Sequence, residues 1–174
     1  MATVVFEKMI SPSFSSHLRF IRGAAAAAVL LAPVAVQAES APFANYAGNW
    51  SGNGTITIAE GGTERIRCRG TYTVAGGGTS LHQVLRCASD SYRFELTSDV
   101  AARGTSLSGS WSEASRNVAG TIEGSIVNGQ VNALVTTNAF AATFNMSMRG
   151  NRQSVTISSK GELRGVNITL ARGN

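Results

Sequence analysis

The sequence predicts an all-β fold, a single antiparallel up-and-down meander of about ten strands closed into a small barrel. After Asn45, apolar and polar residues alternate with a period of two almost to the end, which is the pattern of half-buried strands. Turn signals recur every ~10–16 residues, close to the spacing typical of a β-sandwich or barrel. The only proline after residue 38 is Pro42, so no predicted strand is interrupted by proline.

Nine turn signals separate the ten predicted strands, and the turns also predict the register. They are Gly61-Gly62, Gly76 to Gly78, Asp90-Ser91, Arg103-Gly104, Ser115-Arg116, Asn128-Gly129, Asn138-Ala139, Gly150-Asn151 and Lys160-Gly161. A two-residue loop at Asp90-Ser91 places Cys87 opposite Phe94 on one face and Arg86 opposite Glu95 on the other. Apolar then meets apolar and base meets acid, as stable cross-strand pairs require. A shift by one residue would move each apolar set to the wrong face.

The two cysteines, Cys68 and Cys87, lie symmetrically about the glycine run at residues 76–78. If that run forms a tight hairpin, the two sulfurs face each other on neighbouring strands. Two cysteines in an exported chain are typical of one disulfide, whereas neither lies in the C-x-x-C spacing of a metal or redox site. We therefore predict a structural disulfide and an oxidising compartment.

In-strand glycines on the apolar face favour closure of the sheet, because barrel corners need bends that glycine permits. Trp111 is predicted to lie opposite Gly120 and to cover its bare backbone. The alternative is that these glycines reflect compositional drift. The ten consecutive strands share one apolar face. Closing the sheet into a barrel is the simplest way to bury that face, and closure also removes exposed strand edges.

The first 38 residues are predicted to be a cleaved signal peptide. A basic region containing Arg19 and Arg22 is followed by the alanine-rich apolar residues 23–36, and Ala38 ends a small-residue cleavage site. The apolar run is short for a membrane span, which needs ~20 residues. A basic amphipathic anchor is the alternative interpretation.

The remainder is long enough for one domain with its own core. We expect a short linker at residues 39–46 and the barrel domain at residues 47–172. Both Met1 and Met9 fit as the first residue of the signal peptide. Together with the predicted disulfide, these features indicate a bacterial protein of the periplasm or a secreted one.

Composition and motifs favour a binding or structural role over catalysis. The chain carries a net charge of +5, part of it in the predicted signal peptide. A mild positive balance does not by itself indicate nucleic-acid binding, which needs a basic patch together with a binding motif. No nucleophile elbow, phosphate loop or metal-ligand motif is present. His82 and Asp99 face outward on the predicted register, which favours a surface ion pair over a catalytic one. We expect no enzymatic activity, no cofactor, no metal, no nucleic-acid partner and a monomer.

Two sets of side chains are candidates for binding. The predicted lumen is lined by Trp50, Tyr72, Gln83, Phe94, Trp111, Phe140 and Phe144. Arg65, Arg67 and Arg69 occupy alternate positions of one strand and form a basic stripe, with Arg86 opposite Arg69. The stripe suits an anionic envelope component, and its alternative is a solvated polar face. Glu113 falls among apolar-face residues; it is expected either to be buried with a raised pKa or to sit in water at the barrel mouth.

Gly48-Asn49-Trp50 at the first strand resembles the Gly-x-Trp signature of lipocalins and the wider calycin group, and ten strands resemble its fatty-acid-binding branch. The helical lid of that branch has no room in this chain. The runs ERIRCRGTYTV, LRCASDSYRFEL, GSWSEASRNVAGTIEG and MRGNRQSVTI are similar to uncharacterised small exported proteins of alphaproteobacteria. The first resemblance implies a barrel, and the second implies export and a β fold without any activity.

Three functions fit the sequence. The first is an exported, non-enzymatic barrel that binds a small apolar ligand in its lumen. The second is a structural or interaction protein of the cell envelope, an inhibitor or assembly partner, with a filled core. The third is a small outer-membrane barrel, in which the apolar face would look out to lipid.

Overall fold

The computed structural model describes residues 41–173 and shows ten antiparallel strands, which confirms the predicted fold class. The strands are β1 (Gly48–Ile58), β2 (Thr63–Ala75), β3 (Ser80–Ala88), β4 (Arg93–Arg103), β5 (Ser106–Glu113), β6 (Val118–Val127), β7 (Gln130–Thr136), β8 (Ala141–Arg149), β9 (Arg152–Ser159) and β10 (Leu163–Arg172). A short 3-10 turn, Gly76–Gly78, joins β2 to β3. The predicted signal peptide and the first two residues of the predicted linker lie outside the described residues.

The sheet closes on itself because β1 pairs with both β2 and β10. Each of the ten described strands therefore has a hydrogen-bonded neighbour on both sides. Strands follow one another around the barrel in chain order, so nearly all the ladders are hairpins; the β1–β10 pairing is the exception. Among the described residues, no helix has the length and hydropathy needed to cross a membrane.

The hairpin registers agree with those predicted from the turns. Cys87 lies opposite Phe94, and Arg86 lies opposite Glu95. At the turn between β6 and β7, Asn128 and Gly129 have φ values of 50° and 73°, the left-handed conformation that a type I′ hairpin turn requires. Turn chemistry and alternation thus point to the same register.

Trp111 lies opposite Gly120, as predicted. A Cβ atom at Gly120 would overlap the carbonyl oxygen of Thr136 and lie 2.9 Å from the Trp111 indole nitrogen. Glycine at this position therefore permits a close backbone approach that any side chain would block.

The disulfide joins Cys68 of β2 to Cys87 of β3, which confirms the predicted pairing. The two Cα atoms are 4.1 Å apart, and both residues are buried on the inner face. The bond links the two strands of the β2–β3 hairpin on the side that faces the barrel interior.

One end of the barrel is covered by the N-terminal turn, residues 42–46. Phe43 and Tyr46 are each only 1% exposed, and their rings pack edge to face at 5.4 Å. The Phe43 amide donates to the Gly78 carbonyl at 2.9 Å, and the Trp50 indole donates to the Tyr46 carbonyl at 2.9 Å. We call this the closed end of the barrel; the β2–β3, β4–β5, β6–β7 and β8–β9 turns lie around it.

Candidate ligand-binding cavity

The barrel interior contains a cavity of about 430 Å³. Its walls are mainly apolar, with Leu81, Leu85, Leu96, Val100, Ile122 and Phe144 among the lining residues. Phe43 forms part of its floor at the closed end. The opposite end, where the β1–β2, β3–β4, β5–β6, β7–β8 and β9–β10 turns lie, is the mouth. Three cavity-lining residues there, Arg116, Phe140 and Glu162, are exposed.

Six of the seven residues proposed for the lumen line this cavity; they are Tyr72, Gln83, Phe94, Trp111, Phe140 and Phe144. Trp50 lies elsewhere. It is 1% exposed, its ring stacks against Tyr72 at 5.8 Å, and it packs against the N-terminal turn. Trp50 belongs to the closed end because the turn, which strand alternation does not reveal, covers that part of the inner face.

Phe140 reaches the cavity from a turn and not from a strand. The Thr137 hydroxyl accepts hydrogen bonds from the amides of Ala139 at 3.1 Å and Phe140 at 3.0 Å, and these bonds fix the β7–β8 turn. The Phe140 ring is 6.2 Å from that of Trp111 and the residue is 39% exposed. The two aromatic residues form one side of the mouth.

A chain of hydrogen-bonded polar side chains crosses the mainly apolar wall. The Tyr72 hydroxyl donates to Gln153 Oε1 at 2.9 Å and accepts from Gln83 Nε2 at 2.9 Å. Ser98 lies opposite Gln83 and donates to its amide oxygen over 3.4 Å. Burial raises the pKa of Tyr72 well above its ordinary value, so this hydroxyl keeps its proton.

Ser98 and Gln153 were missed by the sequence analysis, although signals for both were present. The register of the Asp90-Ser91 turn already places Ser98 opposite Gln83. Gln153 alternates with Val155 and Ile157 on the apolar face, yet it is 1% exposed. Period-two counting would have flagged it as a buried polar group that needs partners.

Glu113 is buried at the mouth, and its carboxylate is held by the backbone. It accepts hydrogen bonds from the amides of Glu95 at 3.0 Å, Ser115 at 3.0 Å and Arg116 at 2.8 Å. Desolvation acts to raise the pKa of Glu113, but these amide bonds outweigh it and hold the pKa below its ordinary value. The expectation of burial is confirmed, since the residue is 5% exposed. The raised pKa that we expected with burial and the alternative of a carboxylate in water were both wrong.

Arg116 lies across the mouth above two aromatic rings. Its guanidinium carbon is 4.8 Å from the centre of the Phe94 ring and 5.7 Å from that of Tyr92. These two rings are parallel within 5° and 6.2 Å apart. The Arg116 Nη1 atom is 3.8 Å from Glu113 Oε2. Cation–π contacts of this kind hold a long side chain over an apolar opening.

The basic stripe lies on the outside of β2, away from the cavity. Arg65, Arg67 and Arg69 are all exposed, and Arg69 is opposite Arg86. Arg86 is paired with Glu95, with its Nε atom 2.8 Å from Oε1. Within residues 41–173, none of the three stripe arginines forms an ion pair.

The outward pair of His82 and Asp99 is also separate from the cavity. His82 Nδ1 lies 2.7 Å from Asp99 Oδ1, and both side chains are exposed. Across the described part of the chain, no cluster of three or more histidine, cysteine, aspartate or glutamate residues is placed to hold a metal ion.

The fold is a closed antiparallel barrel of ten strands with a cavity inside it. No family model matches the chain, and no curated protein matches it. Solved structures do resemble it. Rv2717c from M. tuberculosis has a TM-score of 0.60 at 11% identity, covering 76% of this chain and 94% of that one. The S-type phycobiliprotein lyase CPES from Guillardia theta has a TM-score of 0.53 at 10% identity, covering 76% of this chain and 90% of its own. At these identities the likeness shows the fold alone.

Proposed function

We propose that this protein is an exported, non-enzymatic barrel that binds one small apolar ligand in its lumen. The observation that carries the proposal is the cavity of about 430 Å³ with an open mouth. Ligand pockets typically measure ~300–1,000 Å³ and are lined by apolar and aromatic side chains with a few polar groups. This barrel has that composition.

The orientation of the sheet supports this function over the other two sequence-based hypotheses. Phe94, Trp111 and Ile122 point into the lumen, whereas an outer-membrane barrel needs its apolar face toward lipid. A structural protein with a filled core would leave no space of this size. The Cys68–Cys87 disulfide fits an oxidising compartment, the periplasm or the outside of a bacterial cell.

The chemistry of the cavity lining supports binding and not catalysis. Glu113 already accepts three backbone amides, and Tyr72 keeps its proton. A general base needs a pKa near the working pH and a free path to the substrate. The lyase among the structural neighbours is similar in fold only, and we propose no lyase activity for this chain.

Binding can be tested with an apolar fluorescent probe, N-phenyl-1-naphthylamine, and a matched pair of variants. Ala142 lines the cavity and is 5% exposed, whereas its neighbour Ala141 is exposed on the outer face. We expect Ala142→Phe to weaken probe binding at least tenfold because the new ring occupies the lumen. Ala141→Phe should bind the probe like the native protein.

Equal probe affinities in the native protein and Ala142→Phe, with both folded by near-ultraviolet circular dichroism, would contradict a luminal site. Native mass spectrometry of gently purified protein offers an independent measurement. We expect a population carrying an additional small mass, and a bare protein mass alone would count against a carrier.

A second role follows from the basic stripe. We propose that Arg65, Arg67 and Arg69 contact an anionic surface of the envelope, because three exposed like charges share one side of β2 and form no ion pair with any residue that the structure describes. Co-sedimentation with phosphatidylglycerol vesicles should fall when all three become glutamine. Replacing Arg149, Arg152 and Arg164 removes the same charge elsewhere and should have a smaller effect. Equal losses in both triple variants would indicate net charge alone.

A further inference from the structure

A row of polar side chains runs across the cavity wall. Tyr72 on β2, Gln83 on β3, Ser98 on β4 and Trp111 on β5 are successive cross-strand partners, so they form one continuous row across four strands. All four face the cavity.

On β3 and β4, the inward-facing pairs of side chains on either side of this row are apolar. Leu81 pairs with Val100 toward the closed end, and Leu85 pairs with Leu96 toward the mouth. The amide and hydroxyl of Gln83 and Ser98 therefore form an isolated polar position within an apolar wall. Such a position in a pocket sets the orientation of whatever binds there.

Hydrogen bonding fixes which way the Gln83 amide points. Its Nε2 atom donates to the Tyr72 hydroxyl at 2.9 Å, and that hydroxyl donates onward to Gln153 at 2.9 Å. Because Nε2 faces Tyr72, the amide oxygen Oε1 must face the opposite way, toward Ser98.

Gln83 Oε1 has unused capacity to accept a hydrogen bond. It receives one bond from the Ser98 hydroxyl, at 3.4 Å, which is long for an O–H···O bond, normally ~2.5–3.0 Å. A carbonyl oxygen has two lone pairs. A strong acceptor and a weakly engaged hydroxyl thus lie side by side at the edge of the cavity.

We propose that Gln83 and Ser98 form a subsite for a single hydroxyl group on an otherwise apolar ligand, so that the ligand class is an aliphatic alcohol. This inference rests on the proposed luminal binding. The ligand hydroxyl donates to Gln83 Oε1 and accepts from Ser98 Oγ, which replaces their long mutual bond with two of normal length. Ser98 is four residues along β4 from Phe94 at the mouth, ~13 Å at the usual strand rise, so the hydroxyl enters first and the apolar chain fills the space behind it.

A carboxylate is disfavoured at this subsite. Of the described residues that line the cavity, Arg116 is the only basic one, and it lies at the mouth. An ionised group beside Gln83 would be desolvated without a counter-charge and would face a carbonyl oxygen. The same chain carrying a carboxylate therefore binds more weakly than the alcohol.

The experiment measures displacement of N-phenyl-1-naphthylamine by 1-decanol, 1-chlorodecane and decanoate. We expect 1-decanol to compete about three- to tenfold better than 1-chlorodecane, the difference made by one net hydrogen bond, and better than decanoate. In Gln83→Leu the alcohol loses this advantage and the two neutral compounds compete equally. Val84→Thr changes the adjacent outer-face residue and retains the native preference. Ser98→Ala, which keeps the amide, reduces the preference and serves as the second test.

Equal competition by 1-decanol and 1-chlorodecane in the native protein, with the fluorescent probe bound, would overturn the hydroxyl subsite and leave luminal binding intact. Stronger competition by decanoate would overturn it as well. Failure of the native protein to bind the probe would overturn both proposals. A native preference for the alcohol that survives in Gln83→Leu and Ser98→Ala would show that another part of the wall reads the hydroxyl.

Discussion

The closed end and the mouth of this barrel are made by the same ten strands but differ in what covers them. At the closed end, Phe43 and Tyr46 from a segment outside the strands are each 1% exposed. At the mouth, Phe140 is 39% exposed, and Arg116 crosses the opening on top of aromatic rings. Strand alternation determines which side chains face inward, whereas short segments between or before strands determine which end is open.

The two ends also differ in electrostatics. The closed end contains a buried hydroxyl, Tyr46 Oη, without a hydrogen-bond partner among the described residues, and desolvation raises the pKa of Tyr46 to about 12. The mouth contains an ionised carboxylate, Glu113, with three amide donors. Stability is therefore expected to depend on packing at one end and on hydrogen bonding to a charge at the other.

The largest effect is expected from truncating Phe43 at the closed end, with Phe140 at the mouth as the matched comparison. Phe43→Ala should destabilise the barrel by about 3–5 kcal/mol, because a fully buried ring is replaced by a cavity. Phe140→Ala removes a ring of the same size at the mouth and should cost less than about 1 kcal/mol, because that ring is partly in water. Urea unfolding at pH 7 measures both. Equal losses would mean that the ends do not differ in packing.

An intermediate effect is expected at Glu113. Glu113→Gln should cost about 1–3 kcal/mol at pH 7, since a neutral amide replaces a carboxylate that accepts three amides. The folded-state pKa of Glu113 is lowered, so its contribution is complete above the unfolded value of ~4.3 and is lost as the pH falls through the folded value. The gap in urea midpoint between variant and native protein should therefore shrink at acidic pH. A gap that stays constant from pH 7 downward would contradict an ionised Glu113.

The smallest effect, and one of opposite sign, is expected from Tyr46→Phe. This change removes the unpartnered buried hydroxyl and keeps the ring, so the protein should be unchanged or more stable by up to about 1 kcal/mol. Tyr72→Phe is the control, because it removes a hydroxyl with two partners and should destabilise. A clear loss of melting temperature in Tyr46→Phe would show that this hydroxyl is hydrogen-bonded in solution.

The strand order, registers and disulfide were predictable because each depends on local turn chemistry combined with period-two alternation. The cross-strand pairings of Cys68 with Cys87 and of Trp111 with Gly120 follow from counting residues outward from the turns. Phe43 and Tyr46 were not predictable in the same way. They lie in a five-residue turn too short to show a period, and their burial depends on the barrel that they cover.

The candidate site was predictable in outline and not in detail. Alternation placed Gln83 and Phe144 inside, but it does not reveal that the wall leaves a cavity, since that depends on how side-chain volumes add up around a ring. Strand alternation also placed Glu113 inside. Burial without any hydrogen bond would raise the pKa of its carboxyl group, which is why a raised pKa was expected. The amides that lower it come from the backbone around the β5–β6 turn and from β4, which side-chain patterns do not encode.

Ring closure by β1 and β10 also bears on how the protein folds. The other strand pairs are joined by short turns and can form early, whereas Trp50 meets Arg172 only after almost the entire described sequence has been ordered between them. Contacts between such distant parts of a chain carry the greatest loop entropy and tend to form late. The lumen is complete only once β1 and β10 have paired. A ligand can therefore bind in it only after the barrel has closed, so ligand binding would report that folding is complete.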